Sequence, residues 1–174
     1  MNKDDFVKWL YPAAKGRQIS SVFTTAQAAL ESGWGASKIG EYNLFGVTKG
    51  SSWNGPTKLV LTYEVFPVSN RKFSSPEKVV KVQDITVSGK RKYRYTVYRL
   101  FRNYNSLDQA LDDHQQILMG NGYKDAWPYR TDAREYAKRI TDGIGCKYAT
   151  DPNYLKTIDS LITTVEKSIQ QQKL

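Results

Sequence analysis

The sequence has few of the residues that build covalent or metal-based frameworks. Cys146 is its only cysteine and His114 its only histidine. A single cysteine excludes an intramolecular disulfide, and one histidine without a second His or Cys partner cannot build a usual zinc site. The glycine pattern of a nucleophile elbow, which would support a Ser-His-Asp triad on His114, is also missing. We therefore expect no metal and no organic cofactor. The 174 residues suffice for one domain with an unstapled core.

Long apolar runs are missing as well, so we expect no membrane insertion. The opening MNKDD places Asp4 and Asp5 where a secretory signal would carry a basic flank, which predicts that this chain has no signal peptide. A target outside the cytoplasm would then require delivery by another system, release by lysis, or a longer precursor. No long apolar dimer seam is visible, and this favours a monomer.

Acidic residues are outnumbered: 26 Lys and Arg stand against 17 Asp and Glu, a formal charge of +9. This excess favours a polyanionic partner, whether nucleic acid, an anionic membrane or a bacterial cell wall. Much of it lies between Arg71 and Arg102, interleaved with aromatic residues. Such a segment could stack on bases or on sugar rings, or form a solvated strand face with Lys protecting an edge. Charge alone suggests nucleic acid, and we rank it last.

Local patterns predict helices at both ends of the chain and strands between them. Asn2, Ser20 or Ser21, Ser106 and Thr131 or Asp132 are expected helix starts, and Asp151-Pro152 announces the last helix. From about Thr57 to Phe101 the chain is rich in β-branched and aromatic residues, with Ser88-Gly89 as a turn. The pattern predicts a mainly helical domain with a small antiparallel β insertion.

Glu31 is unusual because it ends an otherwise small and apolar helix, AQAALESGWG. The dipole at a helix C-terminus disfavours added negative charge, and a carboxyl placed there beside Trp34 would resist ionisation. A general acid needs this property near neutral pH. The alternative from spacing alone is a glutamate solvated at a helix end.

The string ALESGWGASKIGEYNLFGV resembles the signature of glycoside hydrolase family 73, the endo-β-N-acetylglucosaminidases. Further elements match in the family's order over almost the whole chain: W-N-G at 53–55, T-Y-E at 62–64, F-R-x-Y-x-S at 101–106 and YATDPNY at 148–154. The resemblance implies a peptidoglycan hydrolase that cleaves between N-acetylglucosamine and N-acetylmuramic acid. It further implies that Glu31 is the general acid.

Glycosidases generally need a second group, a base or a nucleophile. By the resemblance, Glu64 is the candidate. Roughly three dozen residues separate Glu64 from F-R-x-Y, whereas the family commonly has a short hairpin there, so Glu77 and Asp84 remain rivals. A third alternative is attack by the acetamido oxygen of the substrate itself, with Tyr148, which matches the family tyrosine, orienting the acetamide or a water.

The resemblance implies a lysozyme-like α+β fold for residues 1–174. We expect a helical lobe at about 1–52 and 103–174, a β lobe at about 53–102, and a groove between them that binds glycan strands. Expected substrate-binding residues are Trp34, Tyr42, Asn43, Phe45, Trp53, Trp127 and Tyr154. The first, second, fifth and sixth of these could instead belong to the core. A lytic transglycosylase and a non-catalytic wall-binding module remain alternatives.

Overall fold

The structure, a computed structural model, describes residues 1–142 and 153–174. In chain order it has helices α1 (Lys3–Ala14) and α2 (Ser21–Ser32), strands β1 (Thr57–Phe66), β2 (Lys78–Val87) and β3 (Lys90–Arg102), and helices α3 (Leu107–Met119), α4 (Ala133–Asp142) and α5 (Tyr154–Gln172). Two short 3₁₀ turns, Asn121–Tyr123 and Trp127–Tyr129, lie between α3 and α4. The elements form two compact units, a helical unit of residues 1–46 and 104–174 and a β unit of residues 47–103.

The helical unit is organised around an apolar core to which α1, α2, α4 and α5 contribute. Phe23 of α2 is fully buried and packs edge-on against Tyr136 of α4, with ring centroids 4.9 Å apart. Along α5, buried Ile158, Ile162 and Val165 recur at helical spacing. They form one apolar stripe because residues three or four apart share one face of a helix.

The predicted helix starts follow local hydrogen-bonding chemistry. Side-chain oxygens of Asn2, Ser20, Ser106 and Asp132 accept from the backbone N–H three residues on, at 2.8 to 3.2 Å. Each satisfies a donor that the first helical turn leaves unpaired. Pro12 lies inside α1, which continues to Ala14. Asp151-Pro152 lies outside the described residues.

The β unit contains one antiparallel sheet in the order β1-β3-β2. Ser88 and Gly89 join β2 to β3 with φ values of 49° and 75°, the left-handed backbone that a two-residue hairpin turn requires. The predicted antiparallel β insertion and the Ser88-Gly89 turn are therefore confirmed. Among the described helices, none is long and apolar enough to span a bilayer.

Candidate functional site

The segment after Glu31 has an unusual backbone. Gly33, Trp34 and Gly35 take φ values of 56°, 59° and 84° in succession. Gly33 ends α2 in the left-handed conformation that glycine adopts without steric cost. At Gly35 an added Cβ would stand 3.4 Å from the Phe6 ring. The glycines on both sides of Trp34 thus let the chain turn sharply while packing against α1.

Ser32 holds this turn in place. Its buried hydroxyl donates to the carbonyl of Ala28 at 2.6 Å and accepts from the backbone N–H of Gly35 at 2.9 Å. Trp34 then packs edge-on against Phe6, with centroids 5.7 Å apart, and the Lys3 ammonium lies 5.4 Å from its ring centroid. The four residues that follow Glu31 in E-S-G-W-G therefore each have a local structural role.

The Glu31 carboxyl lies in the last turn of α2, as predicted. Its side chain is exposed, yet partial desolvation by surrounding protein raises the pKa of Glu31 above its ordinary value. The two observations are compatible because a carboxyl can touch water on one side while protein atoms replace water on the others. The helix terminus acts in the same direction. A carboxyl with a raised pKa keeps its proton to higher pH, as a general acid must.

A buried polar chain runs beneath Glu31. His114 of α3 donates from Nε2 to the side-chain oxygen of Gln27 at 2.6 Å, and the Gln27 amide nitrogen donates to the Tyr154 hydroxyl at 3.1 Å. All three side chains are almost completely buried. Burial lowers the pKa of His114 to about 3, so the ring is neutral at physiological pH. Gln27 lies one helical turn before Glu31, which places this chain under the acid.

Tyr154 is electrostatically coupled to the acid. Burial raises the pKa of its hydroxyl, and the nearby charge of Glu31 raises it further, while the hydrogen bond from Gln27 opposes the shift. Tyr154 was predicted to contact substrate. Its side chain is buried, so a binding role would act from beneath the surface.

The Asn-Leu-Phe segment at 43–45 is also buried. Backbone hydrogen bonds join Ile39 and Asn43 in both directions at 3.0 and 3.2 Å. The Phe45 ring stacks on the His114 imidazole, with centroids 3.9 Å apart and planes 14° from parallel. Phe45 therefore packs directly on the polar chain, and Asn43 is buried two residues before it. Their predicted contact with substrate stays a prediction.

An open groove of about 740 Å³ lies between the end of α2 and the start of α5. Its lining residues are Ala29, Leu30, Gly33, Trp34, Asn153, Lys156, Thr157, Ser160 and Leu161. Trp34 is thus a surface aromatic beside a groove, as a sugar subsite would require. Glu31 does not line this groove, because it projects from a different face of α2.

In the β unit, one arginine holds two of the candidate carboxylates. The Arg99 guanidinium bonds Glu64 through Nη1 and Glu77 through Nε, the latter at 2.6 Å. Glu77 also accepts from the backbone N–H of Leu100 at 3.0 Å. All three side chains are mostly buried, with 13 to 23% of their area exposed. Glu77 therefore accepts from both the Arg99 guanidinium and a backbone N–H, whereas Glu64 is held by the guanidinium.

The third candidate, Asp84, has a different environment. It pairs with Arg91 across the exposed end of the β2–β3 hairpin, at 3.0 Å. Its hydrogen bond to that guanidinium lowers the pKa of Asp84. Asp84 and Arg91 therefore form an exposed ion pair that stabilises the hairpin by a modest amount.

The remaining predicted residues fall in different surroundings. Tyr42 and Trp127 are half-buried in the helical unit, and the Arg130 guanidinium lies 4.9 Å from the Trp127 ring centroid. Trp53 belongs to the β unit, where its indole N–H donates to the Pro56 carbonyl at 2.8 Å. Tyr148 lies outside the described residues. Within 1–142 and 153–174, no cluster of His, Cys, Asp and Glu is placed to hold a metal ion.

The positions of Gln27 and Arg99 could not be predicted from the sequence. Gln27 carried a signal, since a long polar side chain inside the apolar run AQAAL must find partners when buried. Its partners come from 87 and 127 residues away, which no local pattern indicates. The contact between Arg99 and Glu64 depends on the register of β1 and β3. Glu64 lies opposite Tyr95, and Arg99, four residues after Tyr95 on β3, points to the same face of the sheet.

Comparison with known proteins places these features in a family. Residues 7–167 match the Glucosaminidase family model, described as mannosyl-glycoprotein endo-beta-N-acetylglucosaminidase. Peptidoglycan hydrolase FlgJ of Salmonella typhimurium is 32% identical over 170 residues, covering 92% of this chain and 45% of that protein. FlgJ of Pseudomonas aeruginosa is 28% identical over 166 residues, covering 89% of this chain and 35% of that protein. The chain thus spans less than half the length of these relatives.

A solved structure shares the fold as well as the sequence. The glycoside hydrolase domain of Salmonella typhimurium FlgJ aligns with a TM-score of 0.67 and 27% identity, covering 99% of this chain and 94% of that one. The expected lysozyme-like α+β fold is confirmed. The family match over 161 residues and this structural likeness agree with the motifs around Glu31. The chain therefore belongs to the Glucosaminidase family, glycoside hydrolase family 73, and is a glycoside hydrolase domain.

Proposed function

We propose that this domain hydrolyses peptidoglycan at the bacterial cell wall, at the β-1,4 bond that joins the anomeric carbon of N-acetylglucosamine to N-acetylmuramic acid. The observation that carries the proposal is Glu31, a carboxyl with a raised pKa at the end of α2, inside the motif that resembles the family's catalytic segment. Glu31 would protonate the leaving glycosidic oxygen. No metal or organic cofactor enters this scheme.

Glu64 is the proposed second group. A base or nucleophile at the sugar must be ionised, and the Arg99 guanidinium supports an anionic carboxylate. Glu77 shares that guanidinium but also accepts a backbone N–H, which leaves it less able to move toward a water or a sugar carbon. Asp84 has its own partner at an exposed hairpin end, which makes it the weakest of the three. Attack by the substrate acetamido group remains the alternative that needs no second carboxylate.

Analysis of the products tests both which glycosidic bond is cut and whether it is cut by hydrolysis. Purified peptidoglycan is digested with the domain, the fragments are reduced with borohydride, and their ends are identified by mass spectrometry. The proposal predicts reduced N-acetylglucosamine at the new ends and one water added per cut. Reduced N-acetylmuramic acid would contradict the bond assignment, and a 1,6-anhydro sugar would indicate a lytic transglycosylase.

Parallel variants test the second group. Glu64→Gln, Glu77→Gln and Asp84→Asn each remove one carboxylate while keeping side-chain size. The proposal predicts that Glu64→Gln alone abolishes most product formation. Full activity in Glu64→Gln would remove that assignment. Full activity in all three variants would favour assistance by the substrate.

A further inference from the structure

The net positive charge of the protein is confined to the β unit. Residues 47–103 contain twelve Lys and Arg against Glu64, Glu77 and Asp84, a formal charge of +9. The helical unit contains fourteen basic and fourteen acidic residues and is formally neutral. The three acids of the β unit are each paired with Arg99 or Arg91. A neutral catalytic lobe therefore accompanies a strongly cationic sheet, and we infer that the charge serves binding to an anion.

One face of the sheet is covered by its own connecting loop. Phe73, from the segment between β1 and β2, packs against Phe66 and Tyr95 with centroids 6.1 Å from each. The Tyr95 hydroxyl donates to the carbonyl of Val68 in the same loop. Glu64 lies opposite Tyr95 in the register and so shares this covered face, because directly paired residues point to the same side of a sheet.

The other face is open. We define the open sheet face by Leu59, Leu61, Tyr63, Val65, Lys78, Lys81, Arg94 and Tyr98. Strand register places them together, because Leu61 and Lys78 both lie opposite Tyr98, Val65 lies opposite Arg94, and Tyr63 and Lys81 both lie opposite Thr96. All eight side chains are exposed. Tyr63 has 62% of its area in water and Leu61 47%.

The open sheet face combines two kinds of recognition chemistry. Its aliphatic and aromatic side chains offer flat apolar surface, and its three cations offer charge. The Arg94 guanidinium lies 4.3 Å from the Tyr63 ring centroid, which preorganises a cation beside an aromatic ring. A second copy of the chain is a poor occupant because two such faces would repel each other. Nucleic-acid bases would stack on Tyr63 and Tyr98 but would gain little from the row Leu59, Leu61 and Val65.

We propose that the open sheet face binds anionic peptidoglycan strands as an anchoring surface separate from the bond-cutting site. Pyranose rings would lie over Tyr63, Leu61 and Tyr98, because a sugar presents an apolar C–H face. Carboxylates of the muramoyl and peptide groups would pair with Lys78, Lys81 and Arg94. This proposal rests on the proposed function, since it takes the same polymer as its partner. The anchor lies on the opposite side of the sheet from Glu64 and would raise the local substrate concentration.

Sedimentation with purified, insoluble peptidoglycan tests the anchor. All proteins carry Glu31→Gln so that the polymer is not digested. The double change Lys81→Glu and Arg94→Glu should weaken binding at least tenfold, and Tyr63→Ser should weaken it without any change in net charge. The matched control reverses Lys138 and Lys167, two exposed lysines of the helical unit, and should change binding less than about threefold, because the control alters net charge equally but leaves the face intact.

Three results would overturn the proposal. Equal weakening in the face variant and the matched control would mean that net charge alone drives binding. Unchanged binding in the face variant, with a thermal unfolding curve like that of the parent, would exclude the surface. Binding to vesicles of equal parts phosphatidylglycerol and phosphatidylcholine that depends on Tyr63 and Arg94, with no such dependence on peptidoglycan, would assign the face to an anionic membrane. If the proposed hydrolysis is wrong, the product analysis will show it. The binding results can still be interpreted in that case, because they do not depend on cleavage.

Discussion

Burial of the only histidine should make the stability of this domain depend on pH. The His114 ring stacks on Phe45 and donates to Gln27 inside the helical unit, and burial lowers its pKa from 6.5 to about 3. An unfolded chain would bind a proton at this ring below pH 6.5, whereas the folded chain would not. The stability contribution is therefore complete above pH 6.5 and is lost progressively as the pH falls toward 3.

The size of the effect follows from linkage between protonation and folding. Each pH unit in this window changes the free energy of unfolding by about 1.4 kcal/mol per proton. Between pH 7.5 and 5, the loss attributable to His114 should be about 2 kcal/mol. Urea unfolding followed by circular dichroism at these two pH values measures it. The window ends at pH 5 because most carboxylates titrate below it.

His114→Gln is the matched variant, since glutamine can still donate to Gln27 but does not titrate. Its stability at pH 7.5 should be lower than that of the parent because the stack on Phe45 is lost. The additional loss of about 2 kcal/mol on moving to pH 5 should disappear. An equal pH dependence in the two proteins would contradict this prediction, because it would show that His114 takes up its proton in the folded state as readily as in the unfolded chain.

Three further predictions follow from the same structure. Initial rates of peptidoglycan cleavage should persist above the ordinary pKa of a glutamate and fall as the pH rises through the raised pKa of Glu31, because only the protonated acid can donate; a kcat/KM profile that is still rising several units above pH 4.5 would contradict this. Phe23→Ala should lower the free energy of unfolding by about 3–5 kcal/mol in urea titrations, because it removes a fully buried ring packed on Tyr136, and a loss under 1 kcal/mol would count against that packing. Arg99→Met should cost about 1–2 kcal/mol by leaving Glu64 and Glu77 without their shared cation, whereas Arg91→Met at the exposed hairpin end, measured in parallel, should cost less.

Features set by short-range chemistry could be predicted from the sequence. Helix starts at Asn2, Ser20 and Ser106 depend on a side chain bonding the backbone three residues away, so the residues themselves carry the information. The Ser88-Gly89 turn depends on left-handed backbone at two adjacent positions. The α5 stripe depends on helical periodicity alone. Glu31 could be singled out because its position and its motif lie in one short segment.

Features set by distant contacts could not be predicted. The strand order β1-β3-β2 and the register of β3 bring Arg99 to both Glu64 and Glu77, and neither is encoded in the spacing of those residues. The chain from His114 through Gln27 to Tyr154 joins three helices. Asn43 and Phe45 of the matched motif are buried, and their burial depends on packing with distant residues such as His114.

The most direct test of the account is the activity of Glu31→Gln on purified peptidoglycan. Glutamine keeps the size of the side chain but cannot donate a carboxylic proton. We predict a loss of about 10²- to 10⁴-fold in the rate at which new reducing ends form, with the thermal unfolding curve and sedimentation with peptidoglycan unchanged. A folded Glu31→Gln protein that retains more than about a tenth of the parent rate would contradict the assignment of Glu31 as the general acid.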